Sequence, residues 1–398
     1  MRLYYSIVDP YPAYRSDLAE LFGVELKKLG LQTEWFMASG PEVPPPTLAY
    51  RHQKINLPVA RFSVASLLGR LSYWATDLTL MSRQVIRPAD AIQCRDKYLV
   101  SLLAVVVSRL AGVPFFYWCS YPFPEHDQLA AQARTGWRRW LGQAKAAVRF
   151  FLLYKVVCRF ADHVFVQSQR MKEDMHRYGV PLAKMTPVPM GVSARMTDWV
   201  AAHLVAVVPL RIVYLGTLAS VRRLDMLLDA FVLVRQTLPN AQLMFVGDGD
   251  HPSERQTLAD KATALGLGTS VVFTGFVPME EAWSLSASAA VCVSPFYPTP
   301  VLSSTSPTKL VEYLALGRPV VCNDHPEQSQ IIRDSGAGLC VAWSADAFAN
   351  AISELLLNPA RAEACASLGP AWVKTHRTYP MIAQQVWAQY TELMSRPR

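Results

Sequence analysis

The most informative segment of the sequence is SPTKLVEYLALGRP, residues 306–319. Ser306 is a residue type favoured just before a helix, and Pro307 suits the first helical position, where a missing N–H leaves nothing unpaired. Gly317 suits the left-handed position just past a helix end, and Pro319 follows it because proline cannot continue the helix. The segment therefore predicts a short helix with both ends marked in the sequence.

The start of this helix predicts an anion site. The first turn of a helix leaves backbone N–H groups unpaired at the positive end of the helix dipole, and both attract phosphate. Lys309 adds a positive charge, and Glu312 follows three residues later on the same face. A cation for a diphosphate beside a carboxylate for sugar hydroxyls suits a nucleotide diphosphate. An ordinary capped helix with a Lys–Glu pair at the surface would show the same residues.

A second candidate for phosphate binding is YLGTLASVRRL, residues 214–224. A predicted strand ends at Gly216, Thr217 continues the loop, and two arginines, Arg222 and Arg223, precede the next helix. Arginine keeps its charge and binds phosphate through paired hydrogen bonds. Because arginines at a helix start oppose the helix dipole, an anionic ligand explains them better than a solvated helix end does.

Short apolar runs alternate with segments of helical spacing along the whole chain. Strands are predicted at residues 3–8, 33–37, 90–93, 114–118 and 163–167, and again at 211–215, 242–246, 271–273, 290–293 and 319–322. Such alternation is typical of parallel sheets with helices on both faces. We therefore predict an α/β protein with two doubly wound, Rossmann-like domains. Ligands are expected at the carboxyl ends of strands and in a cleft between the domains.

Length and composition favour a cytoplasmic globular protein. The 398 residues are 51% hydrophobic and 18% charged, which is ample for two cores. No uncharged apolar run reaches the roughly 18 residues of a membrane span, and the N-terminal residues lack the apolar region of a signal peptide. The seven cysteines are scattered without a CxxC pair, as in a reduced protein.

Positive charge is concentrated in the first half of the chain. Residues 1–200 contain 25 lysines and arginines against 15 acidic residues, whereas residues 201–398 contain 14 against 16. The imbalance predicts a face that meets an anionic surface. Because the basic residues fall near tryptophans and leucines and not in a recognised nucleic-acid module, nucleic acid is not expected as a partner.

The stretch from residue 133 to residue 161 predicts a helix in a membrane interface. It contains seven basic residues and no acidic one, with large apolar residues at spacings of three and four. Apolar residues on one face and cations on another are typical of a helix that lies on anionic lipid. A core helix with snorkelling arginines is the alternative. The predicted membrane-surface residues are Arg134, Trp137, Arg138, Trp140, Lys145 and Arg149.

A series of motifs resembles the GT-B retaining glycosyltransferases of family 4, of the bacterial cell-envelope and exopolysaccharide type. The motifs are ADHVFVQS at 161–168 with YGVP at 178–181, VPMGV at 188–192, VGDG at 246–249, FTGFV at 273–277 and LVEYLALGRP at 310–319. The resemblance covers nearly the whole chain. With a linker at 196–210, where no clear period is present, it implies an acceptor-binding domain over 1–195, a donor-binding domain over 211–375, and a C-terminal helix in 376–398 that returns to the first domain.

The resemblance also implies roles for individual residues. Glu312 would hold the ribose hydroxyls, Lys309 and Leu310 would lie along the diphosphate, and Arg222, or Arg223 in its place, would grip the phosphates. The donor would be a UDP- or GDP-sugar, used without a metal or other cofactor, and the acceptor a lipid-linked or other saccharide. The implied donor-binding residues are Gly216, Thr217, Arg222, Arg223, Gly275, Phe276, Ser304, Thr308, Lys309, Leu310 and Glu312.

Three positions depart from the family pattern. Ser304 stands where the family has a glutamate, Thr217 where it commonly has an arginine, and Ser120 near a usual histidine. The departures keep two alternatives open: a GT-B-like protein that binds nucleotide without transfer, and an inverting transferase or epimerase. A dinucleotide dehydrogenase is not expected, because Gly247-x-Gly249 lacks a third glycine and follows a later strand.

The loop after one first-domain strand is predicted to supply catalytic groups. Glu125, His126 and Asp127 lie near the carboxyl end of that strand, although a solvated loop would have the same composition. Arg222 and Lys309 complete the predicted catalytic set. The hypothesis is that these two cations and the helix start stabilise the departing diphosphate without a metal, while the acceptor hydroxyl attacks an oxocarbenium-like sugar.

Overall fold

Strands and helices alternate along the chain in the computed structural model, which describes residues 1–11, 13, 15–39, 54–57 and 67–396. The strands are β1 Arg2–Tyr11, β2 Gln32–Ser39, β3 Lys54–Asn56, β4 Ala91–Arg95, β5 Phe115–Cys119, β6 His163–Val166, β7 Met185–Pro187, β8 Arg211–Leu215, β9 Gln242–Val246, β10 Val271–Phe273, β11 Val291–Ser294, β12 Val320–Asn323 and β13 Gly338–Val341.

The helices lie between these strands and after β13. They are α1 Leu26–Lys28, α2 Leu67–Ile86, α3 Tyr98–Ala111, α4 Phe123–Gln132, α5 Gly136–Phe150, α6 Cys158–Phe160, α7 Gln169–Arg177, α8 Ala194–Ala202, α9 Asp225–Thr237, α10 Pro252–Ala264, α11 Met279–Ala287, α12 Pro300–Ser303, α13 Thr308–Ala315, α14 Pro326–Ser335, α15 Ala345–Leu357, α16 Pro359–His376 and α17 Tyr379–Ser395. Two segments, Asp17–Glu25 and Phe151–Val157, are π-helical.

The chain divides into two units, each built on one parallel sheet. The first unit comprises Met1–Pro189, Ser304–Ser306 and Tyr379–Arg398, and its sheet has the order β3-β2-β1-β4-β5-β6-β7. Strands β4, β5 and β6 are buried along their whole length, as expected under helices on both faces. The strand order reverses at β1 and β4, whose carboxyl ends are where this architecture binds ligands.

The last helix, α17, contributes to the core of the first unit. The Tyr390 ring lies 5.4 Å from the Phe116 ring, and its hydroxyl donates a 2.5 Å hydrogen bond to the Gln93 side chain. The Tyr379 hydroxyl donates to Ser16 at 3.1 Å. Residues near both ends of the described chain therefore share one core.

The second unit comprises Met190–Ser303 and Pro307–Thr378, and its sheet has the order β10-β9-β8-β11-β12-β13. Every pair in this sheet is parallel, so the predicted pair of doubly wound α/β units is confirmed. Helix α13 is anchored to β8 by Tyr313, whose buried hydroxyl accepts a 2.6 Å hydrogen bond from the Leu215 backbone N–H. This anchor fixes the start of α13 close to the carboxyl end of β8.

The predicted ends of the helix in residues 306–319 need one correction. Helix α13 begins at Thr308, so Pro307 and not Ser306 occupies the capping position, and Pro307 has an extended backbone. The favoured residue type at 306 identified the boundary to within one residue, which is the usual accuracy for helix ends. Gly317 has a φ of +63°, which confirms the left-handed position predicted for it.

Two predicted irregular segments are helical. Glu125, His126 and Asp127 lie in α4 and not in a loop, because Pro124 falls in the first turn, where proline favours a helix start. Part of the predicted linker at 196–210 belongs to α8, which starts with a capping hydrogen bond from the Met196 N–H to the Ser193 hydroxyl at 3.1 Å.

Candidate nucleotide-binding site

The side chain of Lys309, in the first turn of α13, is buried with 7% of its surface exposed. Its ammonium group donates a 2.8 Å hydrogen bond to the Tyr214 hydroxyl and lies 4.0 Å from the centre of the Tyr214 ring. The Tyr214 hydroxyl in turn donates to the Thr217 carbonyl at 3.0 Å. Burial, and to a lesser extent the positive charge of Arg222, hold the pKa of Lys309 well below its usual value.

Arg222 is the second cation at this place. Its Nε donates a 2.9 Å hydrogen bond to the Thr217 hydroxyl, and its guanidinium lies 5.9 Å from the centre of the Phe296 ring. The Lys309 ammonium lies 5.5 Å from the same ring. Among the residues that the structure describes, no carboxylate lies within ion-pair distance of either cation. The two charges are therefore oriented by neutral groups and are left without a neutralising partner.

Two glycines allow the backbone to approach this cluster closely. Gly216 has a φ of +137°, and a Cβ there would lie 3.1 Å from the Lys309 ammonium nitrogen. Gly247 has a φ of +127°, and a Cβ there would lie 2.3 Å from the Gly216 carbonyl oxygen, which no side chain tolerates. The loop after β8 thus packs against the loop after β9, and the loop after β8 lies beside the cation.

Glu312 lies one turn after Lys309 in α13 and is half-buried. Burial raises the pKa of its carboxyl group to about 7, against the lowering influence of Lys309. Its charge therefore changes near neutral pH. A carboxylate that loses its proton in this range can accept hydrogen bonds from hydroxyl groups of a ligand above that pH.

Of the other predicted donor-binding residues, some lie beside Lys309 and others do not. Thr308 and Leu310 lie in the first turn of α13 beside Lys309, with Leu310 fully buried. Arg223 takes a left-handed backbone conformation and pairs with Asp225 at 3.2 Å, so only one of the two arginines joins Lys309.

The Gly275 and Phe276 pair lies in the loop after β10. Gly275 has a φ of +70°, and a Cβ there would lie 3.1 Å from the Arg255 guanidinium, which is paired with Asp248 at 2.9 Å. The Phe276 ring is 75% exposed. An exposed ring beside a polar pair is able to stack on a planar ligand.

Ser304 is not part of the cation cluster. The structure assigns it to the first unit, where its hydroxyl donates to Asp174 at 2.8 Å and its carbonyl accepts from the Ser168 hydroxyl at 2.7 Å. Both of these hydrogen bonds are made within the first unit.

The predicted catalytic groups on α4 have three different partners. One Glu125 oxygen accepts a 2.8 Å hydrogen bond from the Tyr154 hydroxyl, and burial raises the pKa of Glu125. The exposed His126 contacts Tyr121, and Asp127 forms an ion pair with Arg149. Of the three, Glu125 has the environment of a group that could hold a proton.

Sequence reasoning missed a polar cluster at the carboxyl ends of β4 and β5. Asp96, with a φ of +55°, accepts hydrogen bonds from the backbone N–H of Ser120 at 3.0 Å and from its hydroxyl at 2.5 Å. Burial raises the pKa of Asp96 to about 6. Arg95 is fully buried and lies 2.8 Å from Asp17. The sequence feature that could have indicated this cluster is the run of charged residues Arg-Asp-Lys at 95–97, directly after a predicted strand.

Helix α5 is exposed along most of its length. Trp137 and Trp140 are 69% and 68% exposed, and only Ala146 of this helix is buried, so α5 is not a core helix. Arg134, Arg138 and Lys145 are exposed as well, whereas Arg149 pairs with Asp127. Within the described residues, no helix combines the length and apolar character that crossing a membrane requires.

The fold defines an α/β protein of two units, each built on one parallel sheet, and the cation cluster is a candidate phosphate site. Comparison with known families agrees with this fold. Residues 19–191 match the family model "Glycosyl transferase 4-like domain", and residues 209–358 match "Glycosyl transferases group 1". Together the two matches cover most of the chain. The chain therefore belongs to the family 4 type of glycosyltransferases with the GT-B fold.

Individual relatives agree with this assignment. A GDP-mannose-dependent alpha-(1-6)-phosphatidylinositol monomannoside mannosyltransferase of Mycolicibacterium smegmatis is 30% identical over 164 residues, 40% of this chain and 42% of that relative. The match therefore spans less than half of the relative's length. The structure of Anabaena Alr3699/HepE in complex with UDP is 17% identical with a TM-score of 0.72, over 98% of this chain and 100% of that chain.

A third comparison extends the likeness in fold. Sucrose-phosphate synthase from Thermosynechococcus elongatus is 20% identical with a TM-score of 0.73, and the match covers 99% of this chain and 100% of that one. At such identities the solved structures establish the shared GT-B architecture.

Proposed function

We propose that the protein transfers a sugar from a nucleoside-diphosphate sugar to a saccharide acceptor that is linked to a lipid at the cytoplasmic face of a cell membrane. The observation that carries this proposal is the pair of cations Lys309 and Arg222, oriented by Tyr214, Thr217 and Phe296 without a carboxylate partner. Burying an unpaired cation lowers the stability of the fold, so a buried cation without an acidic partner indicates a binding site for an anionic ligand.

The chemistry follows from where negative charge develops. When the bond between the anomeric carbon and the diphosphate breaks, negative charge grows on the departing phosphate oxygens. Lys309, Arg222 and the backbone N–H groups at the start of α13 are fixed before the reaction, so they stabilise that charge without reorganising. The sugar becomes oxocarbenium-like, and the acceptor hydroxyl bonds to its anomeric carbon while its proton passes to an oxygen of the departing diphosphate. We propose retention of the anomeric configuration and independence of a metal.

The relatives support UDP or GDP as the nucleotide of the donor sugar. The Anabaena protein was solved in complex with UDP, and the mycobacterial relative is named for GDP-mannose. In the proposed site, Glu312 receives the ribose hydroxyls and Gly275 and Phe276 line the pocket of the base. The pKa of Glu312 near neutrality makes the first of these roles measurable.

The acceptor is proposed to be presented at an anionic membrane surface, in cell-envelope or exopolysaccharide synthesis. The support is α5, whose exposed tryptophans Trp137 and Trp140 accompany exposed Arg134, Arg138 and Lys145. Aromatic side chains enter the lipid interface while cations meet anionic headgroups. The mycobacterial relative is named for an acceptor that is itself a lipid.

Thermal unfolding with UDP, GDP, ADP and NAD tests the proposal. A ligand at about 100 times its dissociation constant adds roughly 2.7 kcal/mol to the free energy of unfolding. A shift with UDP or GDP that Arg222→Ala reduces is expected, followed by turnover of the matching nucleotide sugar and formation of a product with the donor's anomeric configuration. A shift without turnover of any sugar nucleotide would instead favour an inactive nucleotide-binding protein.

A further inference from the structure

Two cysteines are direct neighbours on adjacent strands of the second unit. Strands β12 and β13 pair in parallel, and Cys322 is in register with Cys340. Residues in register on neighbouring strands project from the same face of a sheet. Adjacent strands lie about 4.8 Å apart, which falls within the roughly 4.4–6.8 Å between Cα atoms that a disulfide spans.

The two thiols differ in access and in acidity. Cys340 is exposed, whereas Cys322 is buried beneath α14. A hydrogen bond from the Cys322 thiol, supported by one from Ser329, lowers the pKa of Cys340 to about 6, and Asp324 and Arg333 act on it in opposite directions. By contrast, burial raises the pKa of Cys94, Cys158 and Cys292. Cys340 is therefore the thiol of this chain best placed to react as a thiolate.

We propose that Cys340 and Cys322 form a peroxide-sensitive pair that closes an intramolecular disulfide between β12 and β13. The Cys340 thiolate attacks one oxygen of hydrogen peroxide, the O–O bond breaks, and the sulfenic acid of Cys340 and one water are formed after proton transfer. The Cys322 sulfur then attacks the sulfenic sulfur, the S–O bond breaks, and a second water leaves. Two thiols are oxidised and one peroxide is reduced to two waters.

The disulfide would act on the cation cluster through the residue that follows Cys322. The Asn323 side chain accepts a 2.7 Å hydrogen bond from the Phe296 N–H and donates one of 2.9 Å to the Phe296 carbonyl. The Phe296 ring lies beside both Lys309 and Arg222. Most disulfides hold their Cα atoms about 5.5–6 Å apart, which is wider than the usual spacing of adjacent strands. Closing the disulfide therefore displaces Asn323 and with it this ring, so we expect oxidation to weaken nucleotide binding several-fold.

Mass spectrometry of the full, reduced protein tests the disulfide. After hydrogen peroxide treatment, alkylation and digestion, a peptide pair linked through Cys322 and Cys340 is expected, and dithiothreitol should release it. Cys340→Ser should abolish the link. Cys322→Ser should leave Cys340 as a sulfenic acid that dimedone traps, and Cys365→Ser serves as the control that still forms the link.

Two outcomes would overturn the proposal. If peroxide leaves Cys340 as a free thiol, or oxidises it to the sulfinic acid without a linked peptide in the wild type, the pair does not function as proposed. An unchanged UDP or GDP affinity in the linked protein would overturn the connection to the cation cluster. The linked peptide is detected without nucleotide, so its absence is distinguishable from failure of the proposed transferase function, on which only the affinity effect depends.

Discussion

The ammonium group of Lys309 is oriented by Tyr214, through a 2.8 Å hydrogen bond to the Tyr214 hydroxyl and a 4.0 Å approach to the centre of its ring. Both interactions orient the cation, and neither neutralises it. A buried carboxylate in place of Tyr214 would have fixed the side chain equally well and would have repelled phosphate. The cation is therefore stabilised in a way that preserves its attraction for an anion.

Replacing Lys309 by methionine is expected to separate stability from binding. Removing a buried cation with no acidic partner should raise the free energy of unfolding by about 1–2 kcal/mol. The same change should weaken UDP or GDP binding by about 100-fold, or roughly 3 kcal/mol. Urea unfolding and calorimetric titration measure the two effects. Lys374→Met, which removes an exposed lysine of the same unit, is the control, and a loss of stability in Lys309→Met would contradict the prediction.

The carboxyl group of Glu312 should give the protein a pH-dependent stability. Its pKa is raised from 4.5 to about 7 in the folded chain, so the folded state binds more protons in that interval. The contribution to the free energy of unfolding is therefore fully present below the lower value and is lost as the pH rises through the higher one. Glu312→Gln should flatten this part of the profile, measured by urea unfolding across the range.

Titration of Glu312 should also change the affinity for nucleotide, and with the opposite sign: affinity should increase with pH where stability decreases. If ribose hydroxyls donate to the Glu312 carboxylate, affinity for UDP or GDP should rise as the pH increases through about 7. Phosphate groups of the nucleotide also titrate, and Glu312→Gln keeps that contribution while it removes the carboxylate. An identical pH profile in both proteins would show that Glu312 does not contact the ribose.

Gly216→Ala is expected to damage both the fold and the site. The residue has a φ of +137°, and its new Cβ would lie 3.1 Å from the Lys309 ammonium. Backbone strain of this kind costs about 1–3 kcal/mol, and displacement of Lys309 should weaken nucleotide binding further. Gly266→Ala is a matched control, because Gly266 also has a positive φ but open space around it. Equal nucleotide affinity in the two variants would argue against a role for the close approach.

Binding to anionic liposomes should depend on α5. The double change Trp137→Ala and Trp140→Ala removes two exposed aromatic side chains and is expected to reduce sedimentation with anionic vesicles by about tenfold or more. Higher salt should reduce it too, because each nearby basic residue contributes on the order of 1 kcal/mol. Leu357→Ala removes an exposed apolar side chain of the second unit and should have no effect. Unaltered sedimentation of the double variant would refute a membrane role for α5.

Transfer is expected to continue after exhaustive chelation. Lys309, Arg222 and the start of α13 supply the positive charge that a divalent ion supplies in other phosphate sites. The measurement is the rate of nucleotide release from the donor sugar with EDTA present and after addition of magnesium or manganese. A strict requirement for either ion would contradict the prediction.

The alternation of short strands and helices made the two-sheet architecture predictable, because both signals are local. Gly317 and Lys309 could be placed for the same reason: a left-handed helix end and a first-turn cation are properties of one short segment. The roles of Tyr214 and Phe296 could not be predicted. Each reaches Lys309 from the end of a different strand, and the pairing of those ends depends on the sheet order.

The contact between Asp96 and Ser120 was missed for a related reason. They lie on separate strand ends, and only the pairing of β4 with β5 brings the carboxylate to the Ser120 hydroxyl. The contacts of Ser304 were not predicted from the sequence either. It was predicted to bind the donor because it stands where the family has a glutamate. Its hydroxyl donates to Asp174 in the first unit, and its part in donor binding stays a prediction.

The position of α17 has a consequence for synthesis of the protein on the ribosome. Tyr390 packs against Phe116, and its hydroxyl reaches Gln93, so a helix made last fills a core begun by strands made first. Domains generally fold as units from the N-terminus as the chain emerges. Here the first unit cannot complete its core until α17 has been translated, after the whole second unit. Until then the apolar surface that α17 covers stays exposed. A nascent chain halted before residue 379 should therefore bind chaperones more strongly than one that includes residues 379–395.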